Sequence, residues 1–355
     1  MKIVSIVGAR PQFIKEYMVS KSVRKICNYV LIHTGQHYDF EMSQLFFNQL
    51  NLLQPNYNLG VGSGLQGEQT GKMLIKIEVL LIKEKPDVVL VYGDTNSTLA
   101  GALSAVKLNL PVGHVEAGLR SFDKTMPEEI NRILTDHCSN LLFAPTITAK
   151  DNLRKEGVTK GVYVTGDVMY DALVYSLKMA EESKILKQLK IKPKQFYLTT
   201  IHRQSNTDNA ENLSNILEAL SNTNEKVIFP VHPRTKKFIK KHNLNKKIKK
   251  NIIVTKPLGY FDFIWLEKNA KKILTDSGGI QKEAYILKIP CITLRENTEW
   301  IETVKDKWNT LVGANKDKIL DAIKNFQPKE KQHKYFGDGR ASEYIAKILK
   351  QYIKN

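Results

Sequence analysis

The sequence predicts an α/β protein built from two parallel-sheet domains. Short apolar stretches of strand length alternate with helical patterns along the chain, an arrangement typical of parallel sheets. The alternation pauses at one long helical stretch, from 170 to about 189, and then restarts. A length of 355 residues is also long for one domain and sufficient for two, each with its own apolar core.

Two blocks of predicted strands define the two domains. The first block has strands at 2–7, 29–33, 87–92, 112–115, 141–144 and 162–165, and the second has strands at 196–201, 227–231, 251–254, 272–275 and 291–294. We place the hinge at 167–171 and expect the last helix, 341–353, to pack on the first block. The predicted domains are therefore residues 1–168 with 335–355, and residues 169–334.

The composition is that of a globular protein in a reducing compartment. Apolar residues make up 42% of the chain and charged residues 25%. The longest apolar runs are strand-sized, and the chain enters its first strand without a charged leader, so we expect no membrane partner. Cys27, Cys138 and Cys291 stand singly in apolar segments. They predict reduced core thiols, a cytoplasmic location and no metal site.

Lysine supplies most of the formal net charge of +18. The densest lysine run, at 245–250, has no interleaved aromatic residues and lies near no known nucleic-acid-binding motif. We therefore interpret this run as a solvated surface that helps to attract an anionic substrate, and we expect no nucleic-acid partner.

The segment TDSGGIQKEA, at 275–284, predicts a seat for a nucleotide diphosphate. A buried strand that stops, turns and enters a helix leaves backbone N–H groups pointing at one spot, which attracts phosphate. The turn residues are Asp276, Ser277, Gly278 and Gly279. Glu283 lies in the first turns of the helix, where a carboxylate can accept hydrogen bonds from ribose hydroxyls. An ordinary strand-to-helix turn with a serine cap explains the segment equally well.

The segment KIVSIVGARPQFIK, at 2–15, gives a matching signal in the first half. It places Arg10 at the carboxyl end of a strand, where α/β sheets bind ligands, and Pro11 at a first helical position. No glycines follow at the G-x-G-x-x-G spacing, so a nicotinamide enzyme is disfavoured. We predict that Arg10 clamps a pyrophosphate. A plain surface charge is the alternative, although a cation there opposes the helix dipole.

Two carboxylates follow neighbouring strands of the first block. Asp94 comes directly after the buried strand of VLVYGDTNSTLAGALSA, and either caps the next helix or reacts with a ligand. Local considerations favour the cap. Glu116 follows a strand in HVEAGLRS, and either pairs with Arg120 or faces a ligand; we favour the ligand.

The next helix begins MPEEINR and offers two more carboxylates. Helical spacing puts Glu128, Asn131 and Arg132 on one face and turns Glu129 away, so only one of the two glutamates can face a ligand. Acidic residues in a first turn also favour the helix dipole, which explains both glutamates without any chemistry.

Two histidines end strands of the second block. His202, beside Arg203, can donate to a phosphate or carry a proton, or it can be a satisfied residue at the end of the strand. His232 lies between Pro230 and Pro233, and we interpret it as mainly structural.

Nine motifs now form a set, in order along residues 8 to about 343. They are GARPQFIK, HTGQHYD, GDTNSTLAGALSA, HVEAGLRS, PEEINRILTD, GDVMYDAL, the IHR strand end, TDSGGIQKEA and YFGDGRASE. Together they closely resemble the non-hydrolysing UDP-N-acetylglucosamine 2-epimerases. The resemblance implies the GT-B fold of two Rossmann-like domains with an interdomain cleft and a homodimer. It also implies interconversion of UDP-GlcNAc and UDP-ManNAc for cell-surface polysaccharide biosynthesis, with no nicotinamide cofactor and no metal.

The resemblance also implies a mechanism and a set of roles. UDP is eliminated to give a 2-acetamidoglucal, and is then added back with a proton delivered to the opposite face of C2, which requires two proton-handling groups. The residues that match the family motifs are listed here by role. The acid/base carboxylates are Asp94, Glu116 and Glu128, and His202 assists at the diphosphate. The UDP ligands are Arg10, Ser277, Gly278, Gly279 and Glu283, with Lys15 and Arg132 as supporting basic residues.

The sequence departs from the better-known bacterial pattern at a few positions. Ala9 and Gln12 replace the usual Thr and Glu of GTRPE, and Trp300-Ile301 replaces the Arg-Pro of TERPE. These features resemble the archaeal-type branch, close to the UDP-2,3-diacetamido-2,3-dideoxyglucuronate 2-epimerases. That sugar is therefore an alternative substrate, and a GT-B glycosyltransferase is an alternative activity. Lys72 stands where relatives with an effector site often have arginine.

Overall fold

The chain forms two compact units, each built around one parallel sheet. The computed structural model describes residues 1–36 and 54–354, without the side chains of Arg10 and Pro11. The first unit comprises Met1–Val174 and Lys334–Asn355, and the second comprises Tyr175–His333. Both sheets are parallel throughout, and the prediction of an α/β protein with two parallel-sheet domains is confirmed.

The first unit contains a seven-stranded sheet in the order β3-β2-β1-β4-β5-β6-β7. Its strands are β1 (Lys2–Val7), β2 (Asn28–His33), β3 (Tyr57–Asn58), β4 (Val88–Tyr92), β5 (Val112–Val115), β6 (Leu141–Ala144) and β7 (Val162–Val164). Its helices are α1 (Arg10–Val23), α2 (Gln66–Glu84), α3 (Asn96–Lys107), α4 (Pro127–Cys138), α5 (Ile147–Lys155) and the first part of α6 (Val168–Ala180). The central strands are buried on both faces, which explains why they read as unbroken apolar runs.

The second unit contains a six-stranded sheet in the order β10-β9-β8-β11-β12-β13. Its strands are β8 (Phe196–Thr200), β9 (Lys226–Pro230), β10 (Ile252–Thr255), β11 (Lys272–Thr275), β12 (Cys291–Thr293) and β13 (Asn309–Leu311). Its helices after α6 are α7 (Ile185–Gln188), α8 (Gln204–Thr207), α9 (Ala210–Ser221), α10 (Pro233–Lys241), α11 (Tyr260–Asn269), α12 (Gly278–Ile286), α13 (Ile301–Lys305) and α14 (Lys316–Asn325), with a 3-10 turn at Leu244–Lys247. A core that includes Leu217, Phe229 and Leu274 lies on one face of this sheet.

The structure differs from the sequence prediction at three elements. Strands β3 and β13 were not predicted, because two or three residues are too few to show a pattern. The single helix predicted at 170–189 is wrong, since it divides into α6 and α7. The Ser183 hydroxyl accepts a hydrogen bond from the Ile185 N–H (3.2 Å) and donates one to Asp262 (2.5 Å). This local bonding competes with helix continuation.

The last helix, α15 (Ala341–Lys354), returns to the first unit and packs on α1. Asp171 holds its first turn, because the carboxylate accepts hydrogen bonds from the Ala341 N–H (3.0 Å), the Ser342 N–H (2.7 Å) and the Ser342 hydroxyl (2.7 Å). Burial raises the pKa of Asp171 even though these donors oppose the shift. Across the described residues, no helix has both the length and the apolar character needed to cross a membrane.

Candidate active site

Most of the predicted site residues follow strands at the two points where strand order reverses. In the first sheet β1 lies between β2 and β4, and in the second β8 lies between β9 and β11. Open α/β sheets bind ligands beyond the carboxyl ends of the strands at such switch points. Asp94 lies just beyond β4, His202 just beyond β8, and Asp276 directly after β11.

Asp94 is not the cap of the following helix, so that interpretation is wrong. Thr95 occupies the cap position of α3, and its side chain accepts from the Thr98 N–H at 3.4 Å. The Asp94 carboxylate instead accepts a hydrogen bond from Arg132 Nη2 at 2.5 Å. The Asp94 carbonyl accepts one from Asn131 Nδ2 at 2.9 Å. Two residues of helix α4 therefore hold Asp94 at the end of β4.

The two glutamates at the start of α4 have different environments. Glu129 is buried and accepts from the backbone N–H groups of Ser121 and Phe122 (both 2.9 Å) and from Arg132 Nη1 (2.9 Å). Burial alone would raise the pKa of Glu129, but these donors hold it below its usual range. Glu128 is exposed and has no hydrogen-bond or ion-pair partner among the described residues. Glu128 is therefore the glutamate available to a ligand.

Glu116 forms a largely buried ion pair with Lys15, a residue of helix α1. Its predicted alternative partner, Arg120, instead binds Asp136 and Glu156, each at 2.7 Å. The backbone of Glu116 has a φ of 76°, which is costly for a residue with a side chain and common at functional sites. A Cβ added to Gly93 would lie 3.4 Å from the Lys15 ammonium and 3.5 Å from Glu116. The pair therefore lies beside the residue that precedes Asp94.

A buried network behind these carboxylates was missed by the sequence reasoning. Nδ1 of His114 contacts Asp136 at 2.7 Å, and Nε2 contacts the Gly93 carbonyl at 2.8 Å. Each ring nitrogen of His114 therefore lies against an oxygen that can accept a hydrogen bond. Burial raises the pKa of Asp136, but His114 and Arg120 outweigh it and leave the pKa below its usual value. The network holds the Gly93 carbonyl in place, and so helps to fix the backbone position of the next residue, Asp94.

Gln12, one of the departures from the bacterial pattern, joins β1, β4 and α3. Its side-chain oxygen accepts from the N–H groups of Gly8 (2.8 Å) and Ala9 (2.9 Å). Its side-chain nitrogen donates to the Tyr92 carbonyl (2.6 Å) and to the Thr98 hydroxyl (2.9 Å). An amide suits this position because it both accepts and donates.

In the second unit, the buried carboxylate of Asp276 orients the loop that carries His202. It accepts from the N–H groups of His202 (3.0 Å) and Arg203 (3.0 Å) and from Asn206 Nδ2 (3.0 Å). His202 Nδ1 lies 3.2 Å from the same carboxylate. Burial lowers the pKa of His202, and Arg203 adds to that effect while Asp276 opposes it. Nδ1 of His202 therefore faces Asp276, which leaves Nε2 as the ring nitrogen available to a ligand.

His232 has the structural role expected for it. It is the cap residue of α10, and its Nδ1 accepts from the Arg234 N–H at 3.2 Å. Its ring lies 5.9 Å from the ring of His202, so it also forms part of the wall around that histidine.

Helix α12 begins at Gly278, with Ser277 as its cap residue. The Ser277 side chain makes no capping hydrogen bond within the described structure, so the serine-cap explanation of this segment is not what the geometry shows. A Cβ added to Gly279 would meet only Ser277 Oγ, at 3.9 Å, so the surface beside Gly279 is open, whereas Glu299 lies against Gly278. Backbone N–H groups at a helix start favour an anion.

Glu283, the predicted ribose ligand, lies next to a second buried carboxyl group. Glu267 of helix α11 is fully buried, and burial together with the neighbouring Glu283 raises its pKa well above the usual value. Burial and the neighbouring Glu283 therefore favour the protonated form of Glu267.

Some predicted features lie outside the described residues. These are the side chain of Arg10 and the second part of the HTGQHYD motif, from 37 onward. Among the residues that the structure does describe, no cluster of three or more His, Cys, Asp or Glu side chains is placed to hold a metal ion.

Comparison with known proteins places the chain in a family. Residues 21–350 match the family model described as UDP-N-acetylglucosamine 2-epimerase. The chain belongs to this family. A Methanococcus maripaludis relative, named as a UDP-N-acetylglucosamine 2-epimerase homolog, is 59% identical over 99% of each chain. A Pseudomonas aeruginosa relative, named UDP-2,3-diacetamido-2,3-dideoxy-D-glucuronate 2-epimerase, is 45% identical over 98% of this chain and 99% of its own.

A solved structure agrees with the sequence matches. The Methanocaldococcus jannaschii UDP-GlcNAc 2-epimerase, in complex with UDP-GlcNAc and UDP, is 49% identical and superposes with a TM-score of 0.89. The match covers 99% of this chain and 100% of that one. The predicted family, the GT-B-like fold and the assignment as an enzyme of the epimerase family are thereby confirmed.

Proposed function

We propose that the chain interconverts UDP-GlcNAc and UDP-ManNAc by inverting C2 of the sugar. The observation that carries this proposal is the near full-length match, at 49% identity, to a UDP-GlcNAc 2-epimerase with UDP-GlcNAc and UDP bound. The local geometry supports it, because one unit offers carboxylates beyond its strands and the other offers a helix start that suits an anion and a histidine that precedes a short helix.

The reaction proceeds by loss and return of UDP. The C2 proton has no adjacent carbonyl, so its simple removal would create an unstabilised carbanion. Breakage of the C1–O bond as the proton leaves avoids this, and gives a 2-acetamidoglucal and UDP. Return of UDP to C1, with a proton delivered to the other face of C2, completes the inversion. Two faces require two acid/base groups.

Asp94, Glu116 and Glu128 carry the proton transfers in this proposal. Each lies at the carboxyl-end side of the first sheet, and each has a distinct setting: an ion pair with Arg132, an ion pair with Lys15, and exposure to solvent. Lys15 and Arg132 orient two of the carboxylates through these ion pairs. Different settings suit groups that exchange acid and base roles.

The second unit holds the UDP moiety. The start of α12, with Ser277, Gly278 and Gly279, receives the diphosphate. Arg10, a residue of the first unit, is a further UDP ligand on the strength of its family motif alone. His202 assists the departing diphosphate, and Glu283 accepts from the ribose hydroxyls. The raised pKa of Glu267 supports this last role, because a carboxyl group that keeps its proton places no negative charge beside Glu283.

A second substrate deserves its own test. The 45% identity to a UDP-2,3-diacetamido-2,3-dideoxy-D-glucuronate 2-epimerase favours that sugar as an alternative. Trp300, at the position of the bacterial arginine, is buried beneath the Lys282 ammonium, which lies 4.2 Å from the ring centroid. The Lys282 ammonium therefore supplies a positive charge near the position of the missing arginine. A glycosyltransferase would leave the Asp94, Glu116 and Glu128 set without a task.

We also propose that the enzyme acts as a cytoplasmic homodimer. Helix α2 supports the dimer, because Ile75, Val79 and Ile82 recur at helical spacing and are 69%, 63% and 55% exposed. Such a continuous apolar stripe on a surface helix marks a protein-interaction site. A second copy of the chain is the partner that the family resemblance implies.

An NMR assay with two substrates tests the proposed function. The purified chain is incubated with UDP-GlcNAc, or with UDP-2,3-diacetamido-2,3-dideoxyglucuronate, and the anomeric proton signals of both epimers are followed. We expect UDP-ManNAc to accumulate to equilibrium from UDP-GlcNAc without added metal or nicotinamide. Turnover of only the diacetamido-uronate would assign the alternative substrate. If the folded protein turned over neither substrate, the proposed epimerase activity would be contradicted.

A further inference from the structure

The segment Thr298–Glu299–Trp300 lies along the first turns of helix α12. The Thr298 hydroxyl donates to Gln281 Oε1 at 2.6 Å, and Trp300 packs beneath the Lys282 ammonium. Between them, Glu299 contacts Gly278. Gly278, Gln281 and Lys282 are three and four residues apart and therefore share one face of the helix. The segment follows this face up to the helix start.

The carboxylate of Glu299 occupies the start of α12. A Cβ added to Gly278 would lie 1.9 Å from Glu299 Oε1, so the carboxylate rests directly against this glycine. The Glu299 side chain is only 15% exposed. A negative charge is favourable at a helix start, and the same place was predicted to receive the diphosphate.

Two arginines converge on the same carboxylate. Arg295 Nη1 donates to Glu299 Oε2 at 2.9 Å, and Arg203 Nη2 lies 3.9 Å from Glu299 Oε1. Both arginines also help to lower the pKa of His202, which places their charges near that histidine. One internal carboxylate thus faces two cations and a helix start, a set that suits an anion of higher charge.

We propose that Glu299 is an internal anion that holds the diphosphate position in the ligand-free enzyme and is displaced when the substrate binds. Arg203 and Arg295 are then further ligands of the diphosphate, because they exchange their ion pairs with Glu299 for ion pairs with the substrate. This inference rests on the proposed function, because it takes a nucleoside diphosphate as the ligand of α12. Glu299 acts here as a positioning residue rather than a catalytic one.

The exchange has a physical consequence for UDP affinity. While Glu299 is in place, it keeps the two arginines ordered and screens their charges from each other. Substrate binding must break these ion pairs, so Glu299 competes with the diphosphate and weakens its binding. The product must also leave this position at the end of each turnover. Competition from Glu299 therefore weakens the hold on the diphosphate group and speeds product release.

The test compares Glu299→Gln with Glu296→Gln by calorimetric titration with UDP. Glutamine keeps the shape and a hydrogen-bond acceptor for Arg295 but removes the competing charge. Glu296 is a matched control because it lies in the same loop, is exposed, and rests against Gly313 instead of α12. We expect Glu299→Gln to bind UDP at least about fivefold more tightly than the wild type, and Glu296→Gln to bind it as the wild type does.

Two outcomes overturn the inference. The first is folded Glu299→Gln protein that binds UDP as the wild type does or more weakly, which would make Glu299 a bystander or a direct ligand. The second needs no variant: a crystal structure of the wild-type UDP complex in which Glu299 still rests on Gly278. Failure of the wild type to bind UDP at all would instead contradict the proposed function, so the two failures are distinguishable.

Discussion

Adjacent residues with the same side chain have separate tasks in this site. Glu129 is buried and satisfies the N–H groups of Ser121 and Phe122, whereas Glu128 is exposed beside it. Helical spacing predicts that they diverge, but the backbone partners of Glu129 lie in a loop seven and eight residues before it. The distinction between a structural and a proposed catalytic glutamate therefore needs the tertiary structure.

This difference gives a paired prediction. Glu128→Gln, like Asp94→Asn and Glu116→Gln, should reduce kcat by at least about 100-fold and leave the Kd for UDP near the wild-type value, since a proton-transfer group is lost. Glu129→Gln should instead lower the free energy of unfolding by about 1–3 kcal/mol, because an amide nitrogen then faces a buried donor. Steady-state kinetics, UDP titration and urea unfolding check both. Wild-type turnover by the three amide variants would refute the role assignment.

At the scale of elements, helix α1 carries a pH-sensitive group in its buried face. Glu16 is fully buried and accepts from the Tyr29 hydroxyl at 2.6 Å. Burial raises the pKa of Glu16 to about 7, and the hydrogen bonds from Tyr29 and Ser20 only partly oppose it. The folded state therefore holds a proton that the unfolded state loses above its ordinary pKa.

The sign of the effect follows from this raised pKa. Between about pH 4.5 and 7 the native state binds more protons, so stability falls as pH rises through this range, by about 3 kcal/mol for this group. Glu16→Gln should remove this dependence on pH. The free energy of unfolding of the variant, relative to that of the wild type, should therefore be higher at pH 8 than at pH 5. Urea unfolding at the two pH values measures it, with the exposed Glu78→Gln as control. An equal gain at both pH values would contradict the raised pKa.

The junction of β1, β4 and α3 gives a second prediction at this scale. Gln12→Glu restores the residue usual in the bacterial pattern, but places a carboxylate oxygen 2.6 Å from the Tyr92 carbonyl in place of a donor. We expect the free energy of unfolding to fall by about 1–3 kcal/mol. Ala9→Thr, at the neighbouring departure, should lower it by more in the Gln12→Glu variant than in the wild type. Gln204→Glu, in the second unit, is a control of equal charge. Unchanged stability of Gln12→Glu would show that the junction tolerates either residue.

Elements were predicted better than the contacts between them. The bounds of β1, β5, β6 and β11 agree with the sequence prediction, because strands buried on both faces give short stretches rich in apolar residues. The cap of α3 was misassigned, since Asp94 and Thr95 are both good capping residues and only the distant Arg132 decides between them. The Lys15–Glu116 pair joins residues 101 positions apart, a distance that no local pattern reports.

At the scale of the whole molecule, one topology is used twice. Each unit has a parallel sheet whose strand order reverses beside its first strand, and the chemistry-bearing residues of each follow those strands. Family motifs predicted two Rossmann-like domains from the sequence, whereas the strand order, the Glu299 contact with α12 and the His114 network appeared only in the structure. Such contacts depend on packing between elements far apart in sequence.

The proposed homodimer gives a prediction at this scale. The double variant Ile75→Asp, Val79→Asp should convert the dimer to a monomer, because two buried carboxylates in an apolar interface are costly. Light scattering after size-exclusion chromatography measures the mass. Tyr352→Asp alters an exposed aromatic residue on α15 and should leave the dimer intact. A double variant that keeps the dimer mass would place the interface elsewhere.

The most direct test of the account is proton NMR of UDP-GlcNAc with the purified enzyme in heavy water. Loss and return of UDP with reprotonation from solvent predicts that the UDP-ManNAc formed carries deuterium at C2, with UDP retained in the nucleotide sugars at equilibrium. The same label should enter recovered UDP-GlcNAc as the reaction reverses. Epimerisation that leaves protium at C2 of both sugars would contradict the proposed mechanism.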